Sequence, residues 1–408
     1  MTAGQRREGL LDVRSQIAGY LPRAGLPGVT ARLGFDPANA WQKMKRPSSA
    51  VAEARADKTD GMAKIIMKTS AVRRLIMVSV CLVAAAVRAE PIKHDFLAID
   101  EGLSNLMRVD EKEPKKNWLV HIGKAHPRDM QLVGAGKLLI SHDKGYSEYD
   151  IRTGRLLKDI SLYHDVSSVR RLANGHTLIV GVDFDQVKKN KGDNPIGDPT
   201  GRHVIFAEFD SSDHLVSRIT YIGDYARLVR ETAKGTYLCG CNTMFREADQ
   251  NGNWIREIPV EGFTHAWKAL RLPNGDTLMS AGYGTTLQHG STFMAEVDAD
   301  GKMVRKFGAA ADVPAEVHPY FYATFQLLAE GDVVVANWQG HGAGHNDSGV
   351  QILEFDPKGA IVWEWNDRAF VSSVQAVLVL DGLNTDLLHD ERNGTMEPLS
   401  SAETAPKG

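Results

Sequence analysis

Leu270-Arg271-Leu272-Pro273-Asn274-Gly275-Asp276-Thr277-Leu278-Met279-Ser280 decides the fold. Two apolar runs flank a Pro-Asn-Gly turn, and Asn and Gly tolerate the positive φ that a tight hairpin demands. The pattern returns as Val133-Gly134-Ala135-Gly136-Lys137-Leu138-Leu139, Leu172-Ala173-Asn174-Gly175-His176-Thr177-Leu178, Thr232-Ala233-Lys234-Gly235-Thr236-Tyr237-Leu238 and Leu328-Ala329-Glu330-Gly331-Asp332-Val333-Val334, and more weakly as Leu380-Asp381-Gly382-Leu383. Recurrence at irregular spacings of roughly 40 to 60 residues is a propeller signature.

A second repeat alternates with the first: an apolar strand, an Asp-led turn and another apolar strand. Clear copies lie at 149–157, 248–255, 297–304 and 355–363, with looser ones at Phe209-Asp210 and Val109-Asp110. Asp closes such a turn by bonding nearby backbone amides. The Gly hairpin joins strands A and B of a four-stranded unit, and the Asp turn joins C and D. Five full units follow, at 128–160, 167–222, 225–258, 266–307 and 321–365. The chain before 122 supplies only B, C and D, at 96–99, 105–109 and 118–122. The missing A strand is expected at 373–380. The sequence thus predicts an all-β, six-bladed β-propeller of four-stranded blades, closed by a C-terminal innermost strand that completes the N-terminal blade. Closure removes the exposed sheet edge an open ring would leave.

The segment ahead of the blades reads differently. Met67-Lys68-Thr69-Ser70-Ala71-Val72-Arg73-Arg74 is basic, 75–87 is apolar, and Val87-Arg88-Ala89 precedes Glu90 as a small-residue cleavage site. This is the layout of a signal peptide over 67–89. The apolar run is shorter than the about 20 residues of a membrane span. An exported protein, periplasmic or secreted, with no stable membrane span after cleavage is expected; an uncleaved anchor is the other reading. Residues 1–66 read as a mis-assigned start, with translation from Met67 or Met62, or as a disordered extension. The propeller is assigned to 90–388, and 389–408 to a disordered tail.

Residues 1–89 hold 15 of the 48 basic and 6 of the 51 acidic side chains, so the remainder carries 33 basic against 45 acidic residues, a net charge near −12. Such an acidic chain with no basic cluster argues against nucleic acid as partner. Cys239 and Cys241 flank Gly240 on a predicted strand and point to one face. They read as small core residues, with a strained redox pair or soft-metal site as the alternatives.

The blade pattern, above all Phe355-Asp356-Pro357-Lys358-Gly359-Ala360-Ile361-Val362-Trp363, resembles bacterial periplasmic propellers of the PQQ-like and arylsulfotransferase-like repeat group, over roughly 94–385. Quinone-dependent members use adjacent cysteines and calcium, whereas this chain has Cys-Gly-Cys. Arylsulfotransferases use a channel histidine as acceptor, and the resemblance matches none of the histidines here to it.

The tight A–B and C–D turns share one face of a propeller. The variable D–A and B–C connections share the other, where function is expected. His126 and His265 lie ten residues before their hairpin glycines, His164 eleven and His318 thirteen; Tyr225 and Ser372 hold the tenfold position in blade four and the closing blade. The four histidines are the candidate catalytic residues, since imidazole can bind a metal, shuttle protons or accept a transferred group. Strand-entry capping is the structural alternative. Arg128, Arg227 and Trp267 lie eight residues before their glycines. The arginines suit a carboxylate, sulfate or phosphate; pairing with inter-blade Asp residues is the alternative. Blade six adds Asn337-Trp338-Gln339-Gly340-His341-Gly342-Ala343-Gly344-His345-Asn346-Asp347, whose His-x-x-x-His-x-Asp spacing could ligate a metal and whose Trp338 reads as exposed. Ser141-His142-Asp143, 182–202 and 283–289 complete the loop face. Tyr225, Arg128, Arg227, Trp267, Trp338 and His341 are the candidate ligand-binding residues. The expected function is binding of a small polar or anionic ligand on the axial face, with hydrolase, lyase or group-transfer chemistry open; a non-catalytic protein scaffold is the alternative. No Gly-x-Ser-x-Gly, phosphate-loop or His-Glu-x-x-His motif occurs. Cofactor and metal are not assigned.

Overall fold

The computed structural model describes residues 91–184, 201–223, 225–259, 265–282 and 292–399. Residues 1–90, with the expected signal segment at 67–89, and the stretches 185–200 and 283–291 lie outside them. Three strands come first: β1 (Asp95–Asp100), β2 (Asn105–Asp110) and β3 (Trp118–His121). Blade two is β4 (Asp129–Leu132), β5 (Lys137–His142), β6 (Gly145–Asp150) and β7 (Leu156–Ser161). Blade three is β8 (Val166–Arg171), β9 (Thr177–Val182), β10 (His203–Phe209) and β11 (Leu215–Ile222). Blade four is β12 (Val229–Glu231), β13 (Tyr237–Cys241), β14 (Met244–Ala248) and β15 (Trp254–Pro259). Blade five is β16 (Ala266–Arg271), β17 (Thr277–Ala281), β18 (Phe293–Val297) and β19 (Met303–Phe307). Blade six is β20 (Phe321–Leu327), β21 (Val333–Trp338), β22 (Ile352–Phe355) and β23 (Ile361–Trp365). β24 (Val374–Val379) then pairs antiparallel with β1, Phe96 against Val379 and Leu97 against Leu378, giving the order β24-β1-β2-β3. The six-bladed ring and its C-terminal closure are as the repeat predicts.

The same local chemistry builds every blade. The Asp carboxylate of each C–D turn accepts two backbone amides: Asp210 from Ser212 and His214, Asp249 from Asn251 and Asn253, Asp298 from Asp300 and Lys302, and Asp356 from Lys358 and Ala360. Side chains of the inner strands are buried between neighbouring blades, while β7, β11 and β23 alternate toward water. Outer tryptophans lash adjacent blades: Trp118 Nε1 donates to the Ile151 carbonyl and Trp254 Nε1 to Ile222, each at 2.9 Å. Cys239 and Cys241 form no disulfide and are buried in the core between blades three and four, as the core reading expects. Gly240 between them sits against blade five, where a Cβ would lie 2.4 Å from the Ala266 carbonyl oxygen.

One expectation is corrected. Residues 389–399 do not form a disordered tail. They fold as the hairpin β25 (His389–Asn393) and β26 (Thr395–Pro398), and β26 joins blade six beside β20. The chain reaches it under the A–B turn of blade two, where Ala135 and Gly136 donate to the Asp386 and Thr385 carbonyls. β25 then lies on the axis against the inner strands β4, β12 and β16. There Glu391 accepts from Arg230 Nε at 2.5 Å and Lys268 Nζ at 2.7 Å, and Asp390 from Arg170 at 3.4 Å. Arg230 is also gripped by both oxygens of Asp129, at 2.9 and 2.7 Å. Buried charges are tolerated only when paired in this way. The void left beside them is about 10 Å³, room for one water at most. The channel is therefore stoppered at the end carrying the A–B turns. Residues 400–408 lie outside the described chain.

Candidate ligand site at the channel mouth

At the other end of the same inner strands the channel is lined by the residues the repeat singles out. Counting ten back from each hairpin glycine gives His126, Asp165, Tyr225, His265, Phe321 and Ser372. His126, Asp165 and His265 have φ of 53°, 56° and 59°. This left-handed conformation turns the chain from a D strand into the next A strand, and Asp and His accept it more readily than most residues. Part of the histidine signal is thus a backbone requirement. It also explains His164, which is one residue out of register: exposed, it faces its neighbour Asp165 at 3.3 Å and takes no part in the mouth. His318 is likewise displaced. It ends a short 3-10 turn and lines a separate cleft of about 830 Å³ with Tyr320, Gln339 and His345.

The remaining eight predicted residues come together. Trp267 is the platform, with the guanidinium carbons of Arg128 and Arg227 at 6.0 and 5.1 Å from its ring and Arg227 at 3.9 Å from Tyr225. Tyr225 meets His265 edge-on at 6.2 Å. Phe321 packs edge-on against both Trp267 (5.0 Å) and Trp338 (5.3 Å), and His341 against Trp338 at 4.6 Å. Trp338, read as exposed from its glycine-rich loop, is buried as part of this aromatic wall.

Neither Arg128 nor Arg227 has a carboxylate within ion-pair distance among the described residues. Among the described residues, buried Arg227 Nε and Trp267 Nε1 have no hydrogen-bond partner. Burial, with the adjacent Arg227 charge second, pulls Arg128 down to about 10, still cationic at neutral pH. Burial also lowers Arg227, against the opposing effect of Tyr225. Burial and then Arg227 lower His265, which favours its neutral form.

Glu101, in the B–C turn of blade one, is the residue sequence reasoning missed. Its carboxylate accepts from Trp338 Nε1 at 3.1 Å, meets His341 Nδ1 at 2.9 Å and lies 3.6 Å from His126 Nδ1. Burial raises its pKa, but the His126, His341 and Trp338 contacts outweigh this and hold it at about 2. Close approach of two loops sets its position: a Cβ on Gly102 would fall 2.6 Å from the Gly342 carbonyl oxygen. The only sequence signal was its place directly after a B strand, matching Gln339 in blade six.

The His-x-x-x-His-x-Asp spacing does not make one ligand set. His341 turns to Glu101, His345 meets the His341 carbonyl at 3.2 Å, and Asp347 faces Arg368 at 3.5 Å. His142 turns into its blade, 3.6 Å from Asp159. Residues 283–289 lie outside the described chain.

The fold and site define a six-bladed propeller with one cationic, aromatic mouth. No family model and no curated protein sequence matches the chain. Among solved structures it is similar to a protein of unknown function from Bacteroides caccae, with a TM-score of 0.53 and 20% identity over 70% of this chain and 98% of that one. A streptogramin B lyase matches at TM-score 0.43 and 9% identity, over 70% and 93% of the two chains. A catalytically inactive virginiamycin B lyase from Staphylococcus aureus, with quinupristin, matches at 0.41 and 8%, over 68% and 86%. The first of these likenesses shows the fold.

Proposed function

We propose that the mouth binds a small organic anion, a carboxylate, sulfate or phosphate ester carrying a flat or apolar body. One observation carries this: among the described residues Arg128 and Arg227 face the Trp267 platform with no carboxylate at ion-pair distance, beside Nε atoms of Arg227 and Trp267 that have no hydrogen-bond partner there. An anion would satisfy both charge and donors. Trp267, Phe321 and Trp338 would take the apolar body. His265, favoured neutral, is the group suited to accept a proton from a ligand held there, which keeps lyase, hydrolase or group-transfer chemistry within the proposal. A protein-docking scaffold would favour an apolar loop face; these loops present Arg, His and Glu instead. Export rests on the 67–89 segment alone. Membership of the PQQ-like or arylsulfotransferase-like group rests on the blade pattern. No helix among the described residues is long and apolar enough to cross a membrane.

The test is tryptophan-fluorescence titration of residues 90–408 with benzoate, phenyl sulfate and phenyl phosphate, against neutral benzamide. A charge-assisted contact is worth about 1.5–3 kcal/mol, so Arg227→Gln should weaken anion binding roughly 10- to 100-fold and leave benzamide unchanged. Anions binding no better than benzamide, or binding equally well to the variant, would refute the reading.

A further inference from the structure

We infer that Glu101, His126 and His341 form a binding site for one divalent transition-metal ion at the rim of the mouth. Glu101 and the two imidazoles each offer a ligand atom, all within 4.8 Å of one another. Ligands at about 2.1 Å around a tetrahedral ion stand about 3.4 Å apart. The present separations from Oε1, 2.9 Å to His341 Nδ1 and 3.6 Å to His126 Nδ1, straddle that edge. Small side-chain rotations would admit the ion without moving the backbone.

Three further features point to a built site. The Glu101 side chain is only 8% exposed, yet no Lys or Arg pairs with it among the described residues. A buried carboxylate without a fixed cation is costly, and a metal ion would supply the charge. Its second oxygen is held by Trp338 Nε1 at 3.1 Å, the kind of outer contact that orients a ligating carboxylate. The ligands come from three separate connections: His126 sits on a left-handed backbone at φ 53°, His341 packs edge-on against Trp338 at 4.6 Å, and Glu101 is set by the Gly102–Gly342 approach. Two imidazoles and one carboxylate favour zinc or a neighbouring first-row ion over magnesium or calcium. Three protein ligands leave open positions, the arrangement of a reactive rather than a closed structural site. The inference shares Trp338 with the proposed anion site but uses neither of the arginines nor Trp267.

The experiment is equilibrium dialysis of residues 90–408, stripped with EDTA, against zinc, with cobalt substitution read by visible absorption. One equivalent should bind, and cobalt should give the intense band of a low-coordinate site. Glu101→Gln, His126→Asn (Asn accepts the left-handed backbone) and His341→Gln should each weaken binding more than about 10-fold, while His345→Ala, on the same exposed loop, should not. Unchanged circular dichroism in Glu101→Gln would show that the fold is intact. Zinc binding that is absent, or that falls equally in His345→Ala, would overturn the inference whether or not benzoate binds.

Discussion

Replacing Glu391 by Ala should destabilise the whole propeller, although Glu391 lies within a dozen residues of the last described position. The substitution takes the carboxylate from Lys268 Nζ at 2.7 Å and Arg230 Nε at 2.5 Å. Arg230 keeps both oxygens of Asp129, so its charge stays compensated. Lys268 keeps only the Phe325 carbonyl at 2.6 Å and is 4% exposed. Removing one partner of such a buried pair costs about 3–5 kcal/mol. At roughly 2 °C per kcal/mol for a domain of this size, the melting temperature should fall by roughly 6–10 °C. Scanning calorimetry at fixed heating rate measures it, because large domains often unfold irreversibly. Lys268→Met in the Glu391→Ala background should recover part of the loss, since it removes the stranded charge. A drop below about 2 °C, or no recovery in the double variant, would refute the electrostatic account of the hairpin.

Three further outcomes follow from the geometry. His94, held at 2.7 Å by Asp381 and 3.0 Å by Glu354, is raised from 6.5 to about 9: burial opposes the shift, and the two carboxylates outweigh it. The raised value means its stabilisation is full below pH 6.5 and is lost as pH rises through 9, by up to about 3 kcal/mol; denaturation of His94→Gln should lack that fall. Gly240→Ala would drive a Cβ to 2.4 Å from one backbone oxygen of blade five and 2.8 Å from the next, and should cost about 1–3 kcal/mol in urea unfolding. In benzoate titrations, His164→Ala should leave affinity within about 2-fold, as surface changes generally do, whereas Trp267→Leu should weaken it roughly 10-fold by removing the platform and its N–H.

The ring was legible because its signals are local and repeated. Each Gly hairpin and each Asp turn is fixed by a handful of neighbouring residues, so blades five and six fall at 266–307 and 321–365 as the turns alone dictate. Residues at a constant offset from a hairpin inherit a constant place, which is why His126, Arg128, Tyr225, Arg227, His265 and Trp267 meet. His164 and His318 failed because their offsets differ, and the tenfold positions belong to Asp165 and Phe321. Glu101 and the hairpin at 389–399 were not legible for a different reason. Their partners lie far away in sequence: Trp338 and His341 are 237 and 240 residues beyond Glu101, and Arg230 and Lys268 are 161 and 123 residues before Glu391. A polar run such as His389-Asp390-Glu391-Arg392 reads as solvated until buried cations from three other blades are set against it.

The stopper has a consequence for traffic through the molecule. A propeller open at both ends could admit a ligand on one side and release it on the other. Here the axis is blocked by paired charges, so anything bound over Trp267 must leave by the way it came. Occupancy by a spent ligand then excludes the next one, and inhibition by such a ligand would be competitive with the incoming one.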